Sequence, residues 1–338
     1  MDIQAALRLL LEGKHLSHEQ MVVVMRLIMT GEATPAQIGG FLVALRIKGE
    51  TIDEIAAAAQ VMRELATGVK VTGEHVVDIV GTGGDSLSTF NISTASCFVV
   101  AAAGGKVAKH GNRSITSSSG SADLLEAAGV NLNINAEQVA QCVEQVGVGF
   151  MFAPLHHSAM KHAIGPRKEM GVRTIFNVLG PLTNPAGVKN FLLGVFSKDL
   201  VLPLAEVLHK LGSEHVMVVH SDDGMDEISI GATTHVAELK QGEIKTYTIS
   251  PNDFGLQKAD IKQLVVNDAQ ESLDMIKSVF NGEAGPARDI VTLNAGAAIY
   301  VAGLAKSHAE GIEQAQQVLD SGAAMQKLNE LATLTSRF

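Results

Sequence analysis

A short β-branched run, Val76 to Val80, stops at the turn Gly81-Thr82-Gly83-Gly84-Asp85, and an Ala/Val-rich stretch opens soon after at Asn91, Ser93 and Thr94. A run that short and that rich in Val and Ile reads as a buried parallel strand. Glycines directly after a strand permit positive φ and let a ligand lie on backbone N–H groups. The stretch beyond reads as a helix to about Ala103, with Gly104-Gly105 as its stop. Unpaired N–H groups and the positive end of the dipole make a helix start of this kind an anion site. Two familiar phosphate loops are excluded by spelling. Ser86 stands where a dinucleotide fingerprint needs its third glycine, and Lys106 is followed by Val107, where a Walker loop needs Ser or Thr.

The pattern repeats after Val76. Strands are expected at 76–80, 106–109, 148–152, 191–195 and 215–220, and helices near 91–103, 121–128, 136–146 and 199–211. Alternation of this kind builds a largely parallel sheet covered by helices. Residues 228–231, 234–240 and 244–249 read as an antiparallel addition, and 269–280, 286–304 and 308–333 as closing helices. The first seventy residues are different, being punctuated as four helices by Ser17 with Gln20, Thr34 with Pro35, and Thr51 with Glu54. The expected fold is therefore α/β: a small N-terminal helical domain plus a larger α/β domain with a mostly parallel central sheet. Residues 1–70 form the first, 74–164 and 188–338 the second, and part of 165–187 crosses back to the helices. That crossing stretch is broken by Pro166, Pro181 and Pro185, carries Arg167, Lys168 and Arg173, and should line a cleft between the domains.

Charge narrows the chemistry. The chain carries a net charge of −10, which argues against a nucleic-acid or anionic-membrane partner. Yet Lys109, His110 and Arg113 stand in a stretch with no acidic residue between Gly104 and Ala122, a local excess that suits a phosphate-rich ligand. Asp222, Asp223, Asp226 and Glu227 follow the run EHVMVV and so gather at a strand's carboxyl end, where carboxylates suit Mg²⁺ shared with phosphate oxygens. His156, His157 and His162 lack the spacing of a zinc motif. No Gly-x-Ser-x-Gly elbow is present, so no catalytic nucleophile is expected. Cys97 and Cys142 sit in apolar helical patterns, consistent with a reducing compartment. With no signal peptide and no 18-residue apolar span, a soluble cytoplasmic protein is expected.

Taken in order, GTGGD, NIST, KHGNRS with SSSGSAD, the block MKH to PRKEMGVRTIFNVLGPLTNPA, and DGMDE resemble the anthranilate phosphoribosyltransferase family over nearly the whole chain. The resemblance implies a nucleoside-phosphorylase-like fold and a homodimer joined through the helical domain. It implies transfer of the phosphoribosyl group of 5-phosphoribosyl 1-diphosphate to anthranilate in tryptophan biosynthesis. By motif, it assigns the diphosphate to Gly81, Gly84, Asp85, Thr89, Asn91, Ile92, Ser93 and Thr94, then to Lys109, His110, Gly111, Asn112, Arg113, Ser114, Ile115, Thr116 and Ser117, and to Ser121. Anthranilate falls to Gly81, Asn112 and Arg167, and Mg²⁺ to Ser93, Asp226 and Glu227. One departure is Ser158, which follows His156-His157 where the family usually has Pro. A pyrimidine nucleoside phosphorylase on the same fold would not need DGMDE. A nucleic-acid-binding paralogue would need a basic face.

Overall fold

Helices α1 (Ile3–Leu11), α2 (His18–Met29), α3 (Pro35–Lys48) and α4 (Ile52–Leu65) open the chain in a computed structural model that describes residues 1–114 and 118–338. Reciprocal capping boxes form at Ser17/Gln20, Thr34/Gln37 and Thr51/Glu54, so each start expected from the sequence has its orphan N–H groups satisfied. Glu54 does more than cap. Its fully buried carboxylate accepts from Lys48 Nζ at 2.6 Å and from the Leu16 amide at 2.9 Å, tying two loops together. A buried charge is tolerable only with such partners.

The sheet has seven strands: β1 (Val76–Gly81), β2 (Lys106–Gly111), β3 (Val148–Phe152), β4 (Asn190–Gly194), β5 (His215–Ser221), β6 (Thr234–Lys240) and β7 (Glu243–Ile249). Their order is β3-β2-β1-β4-β5-β6-β7, parallel from β3 across to β5 and antiparallel for β6 and β7. The chain leaves β1 towards β2 on one side and later returns to β4 on the other. The carboxyl ends of β1 and β4 therefore flank a topological switch point, the crevice where open α/β sheets bind ligands. Gly81 and Gly194 pair there as the last residues of the two strands. Helix α5 (Ile92–Ala102) is buried along nearly its whole length against β1, β2 and helix Pro286–Val301. Among the described residues, no helix is long and apolar enough to cross a membrane.

Some expectations fail for identifiable reasons. Residues 228–231 are not a strand, because side chains take the place of a ladder. Asn294 bonds both the amide and the carbonyl of Ile228 at 2.9 Å, and Ser221 and Thr234 accept from the Ser229 amide. Helix Ala269–Phe280 forms as expected, but the helix after it, Pro286–Val301, stops short of 304, and 308–333 is two helices, His308–Ser321 and Ala323–Thr335, separated by Gly322 at φ +73°. Pro166 and Pro181 lie inside the helices Lys161–Met170 and Phe176–Leu182 and do not act as joints. Helix Lys161–Met170 packs on α2 and α3. Pro185 accepts from the Val69 amide, and His156 exchanges hydrogen bonds with Thr67 through its carbonyl and Nδ1. These contacts hold residues 156 and 185 against the chain just past α4.

Candidate active site

The turn after β1 is built from glycines that must be glycines. Gly83 and Gly84 have φ of +64° and +82°, and a Cβ on Gly81 would collide with the carboxylate of Asp226. Thr82 extends the β1–β4 register, its amide reaching the Gly194 carbonyl at 2.9 Å and its hydroxyl accepting from the Phe196 amide at 3.0 Å. Asp226 comes from the loop after β5, and its Oδ2 accepts from the Gly83 amide at 2.7 Å. One residue on, Glu227 Oε1 accepts from the Ser93 amide at 3.1 Å and the Ser93 hydroxyl at 2.5 Å, at the first turn of α5. The glycine turn, the helix start and the acidic loop therefore meet in one crevice.

Electrostatics mark the same spot. Burial, and then the charge of nearby Asp85, push the carboxyl of Asp226 up to about 7. Burial and Asp226 push Glu227 up to about 8, and burial raises Asp85 as well. Burial is the largest cause for all three, and for Asp226 and Glu227 the neighbouring carboxylate adds to it; the charge of Lys109 pulls Glu227 the other way without cancelling the rise. Among the described residues, no set of three or more His, Cys, Asp or Glu side chains forms a metal cage. Two carboxylates with a hydroxyl beside them are instead an all-oxygen donor set of the type that shares Mg²⁺ with substrate phosphates.

Other predicted residues take places that the sequence did not suggest. Asn91 precedes α5 but makes no side-chain cap. Its side chain bonds Ser119 at 3.0 Å and Ser272 at 2.8 Å, joining the helix start to the serine-rich loop. Ile92 and Thr94 are buried in the first turn of α5. Thr89 forms a bridge with Val265. Lys109 and His110 belong to β2, not to the loop. Lys109 is 4% exposed and donates to the Ile79 carbonyl at 2.5 Å, beneath the crevice. Gly111 leaves no room for a Cβ beside Ser121 and Phe150, and the Asn112 carbonyl accepts from the Ser121 hydroxyl at 3.3 Å. Arg113 is not an uncompensated cation. It pairs with Asp123 at 3.0 Å and Glu126 at 2.5 Å, on the helix just past the stretch that the sequence showed to be free of acids. The Ser114 amide donates to Asp123 at 3.1 Å, while Ile115, Thr116 and Ser117 lie outside the described residues.

Arg167 is half-buried on helix Lys161–Met170, its guanidinium 5.0 Å from the Phe176 ring centroid. Among the described residues it makes no ion pair and is not bonded to Gly81 or Asn112, and desolvation lowers its pKa. A partly desolvated guanidinium of that kind is a ready carboxylate receptor. His110, His156 and His157 are buried together with unpartnered Nε2 atoms, and burial holds His110 down to about 3 and His157 down to about 4. The rings of His110 and His157 lie 5.0 Å apart, so both act as neutral polar walls. Sequence reasoning gave no role to Ser119 and Ser272 and no partner to Arg173, which secure these loops. Only the cations of the crossing segment hinted at the last.

Residues 73–325 match the family described as "Glycosyl transferase family, a/b domain", and residues 4–66 its helical bundle domain. A curated relative from Thioalkalivibrio sulfidiphilus, an anthranilate phosphoribosyltransferase, is 64% identical over 99% of both chains. The crystal structure of anthranilate phosphoribosyltransferase from Thermus thermophilus superposes with a TM-score of 0.92 at 43% identity, covering 98% of this chain and 99% of that one. The Saccharomyces cerevisiae enzyme in complex with PRPP and Mg superposes with a TM-score of 0.89 at 28% identity, covering 99% and 98%.

Proposed function

The chain belongs to the anthranilate phosphoribosyltransferase family, and from that premise we propose how its own residues divide the work. It transfers the phosphoribosyl group of 5-phosphoribosyl 1-diphosphate to the amine of anthranilate, releasing pyrophosphate, a step of tryptophan biosynthesis. The reading is carried by one juxtaposition: Gly83 and Ser93, from the two anion-binding elements, bond directly to the adjacent acids Asp226 and Glu227.

Displacement at the anomeric carbon develops positive charge on the ribose and negative charge on the departing pyrophosphate. The arylamine is already neutral at pH 7, so the reaction asks for orientation and charge stabilisation and not for a strong base or a covalent nucleophile. We assign the diphosphate to the turn Gly81, Gly84 and Asp85, to Thr89 and the α5 start Asn91–Thr94, and to Lys109–Ser117 with Ser121. Ser93, Asp226 and Glu227 would hold Mg²⁺, which supplies positive charge against the leaving group's oxygens. Lys109 contributes a fixed charge from below, and its field acts on Glu227. Arg167 receives the anthranilate carboxylate, with Gly81 and Asn112 beside the ring.

Mixing the purified chain with anthranilate, 5-phosphoribosyl 1-diphosphate and Mg²⁺ should quench anthranilate fluorescence, and a flat trace with all three present would defeat the reading. Arg167→Ala should raise the KM for anthranilate by about 10- to 100-fold, the range expected when a charged hydrogen bond is lost, with little change for the diphosphate. Equal loss for both substrates would remove Arg167 from the acceptor site. Exposed Leu11, Val23, Val43 and Ile47 on α1 to α3 support a homodimer joined through the helical domain. Sedimentation at the monomer mass would rule it out. Free, buried Cys97 and Cys142 fit a cytoplasmic enzyme, and secretion of the intact chain in a fractionation experiment would contradict that placement.

A further inference from the structure

We propose that Arg173 is a positioning residue for the phosphoribosyl donor, setting the orientation of the Gly83–Gly84 peptide from the side of the crossing segment. The inference rests on assigning the glycine turn to 5-phosphoribosyl 1-diphosphate. Arg173 stands on the link between helices Lys161–Met170 and Phe176–Leu182. Its Nη2 donates to the Gly84 carbonyl at 2.5 Å, and its guanidinium carbon lies 4.1 Å from the centroid of the Phe196 ring. Phe196 is itself tied to the turn, its amide donating to the Thr82 hydroxyl at 3.0 Å. From the opposite side, Asp226 accepts from the Gly83 amide at 2.7 Å.

The consequence is local and specific. The Gly83 amide and the Gly84 carbonyl are both held, and between them lies the peptide plane that carries the Gly84 N–H. Both residues have positive φ and no Cβ. Among the described residues, the one bond to the plane itself, from the Thr82 hydroxyl to the Gly83 carbonyl, is long at 3.3 Å, so the chain next to the turn restrains that plane only weakly. With the two anchors in place, the Gly84 N–H has one orientation, and the Gly84 carbonyl is drawn towards a cation and away from the space an anion would fill. Lysine would supply the charge. It would not supply the flat guanidinium that stacks on Phe196 while its edge donates to a carbonyl.

The test measures binding of 5-phosphoribosyl 1-diphosphate by calorimetry with Mg²⁺ present, the KM of each substrate, and thermal unfolding. Arg173→Ala should weaken donor binding by about 10- to 100-fold, the loss associated with a charged hydrogen bond, and leave the anthranilate KM close to that of the parent. Arg173→Lys should recover only a minor part of the loss. Phe196→Leu should weaken donor binding in the same direction and add little to Arg173→Ala in the double variant, because both act through one contact. Unchanged donor binding in Arg173→Ala would overturn the proposal, as would full recovery by lysine or additive effects of the two substitutions. An inactive parent protein would instead defeat the functional reading, whereas an active parent matched by Arg173→Ala defeats this inference alone.

Discussion

The double substitution Asp226→Asn with Glu227→Gln should reduce turnover by about a hundredfold or more, the scale of losing a preorganised charge-stabilising group, and yet stabilise the metal-free protein near neutral pH. Both amides are nearly isosteric with the acids, and the new side-chain oxygens can still accept from the Gly83 and Ser93 amides. What disappears is charge. In the folded chain the acids titrate near 7 and 8, whereas unperturbed carboxyls do so near 4. Unfolding between those values releases protons, so what these two acids contribute to the parent's stability is fully present below about pH 4 and is lost as pH rises to about 8. The amides have nothing to lose over that interval. Melting curves in a chelating buffer should therefore separate progressively as pH rises from 5 to 8, with the variant higher. Curves that run parallel would mean that the acids are not held against their preference. Activity that responds to Mg²⁺ as the parent's does would place the ion elsewhere. A gain in stability bought with lost chemistry is expected where a site holds like charges together for a ligand.

Much of this arrangement is legible from local patterns. The glycine turn, the four N-terminal helices, three of them by their caps, and strands β1 to β5 appear in the sequence because period, capping and turn chemistry are properties of neighbouring residues. Long-range compensation is not. Arg113 reads as a free cation because Asp123 and Glu126 lie outside the acid-free window, although one short helix brings them onto it. Asn91 reads only as part of a helix start, because nothing nearby announces Ser119 and Ser272, which take its side chain. The β-rich residues 228–231 read as a strand because nothing nearby announces Asn294, 66 residues further on, as the partner of Ile228. In each case a distant polar side chain outbids the local preference.

The meeting of the two halves of the site depends on a similar distant fact, and it yields the second large effect. Gly194→Ala should lower stability by about 1–3 kcal/mol or more, the usual cost of forcing atoms into a filled space, and should cut turnover more sharply than stability. A Cβ on Gly194 would overlap the backbone carbonyl of Asp226, which no rotamer change can relieve. Gly194 ends β4 and pairs with Gly81 at the end of β1, whose own Cβ would strike the Asp226 carboxylate. The two glycines thus leave a notch at the switch point into which Asp226 fits, and that fit brings the acidic loop to the glycine turn. Displacing Asp226 by an ångström would break its bond to Gly83 and shift Glu227 from Ser93, and misplacement on that scale costs catalysis about a hundredfold. Gly165→Ala provides the contrast, since no atom lies within 4 Å of its built Cβ and it sits inside a helix. It should be neutral or stabilise by about 0.5–1 kcal/mol. A Gly194→Ala protein that melts and turns over like the parent would show that Asp226 reaches the crevice without the notch, and the coupling of the two halves would then need another cause.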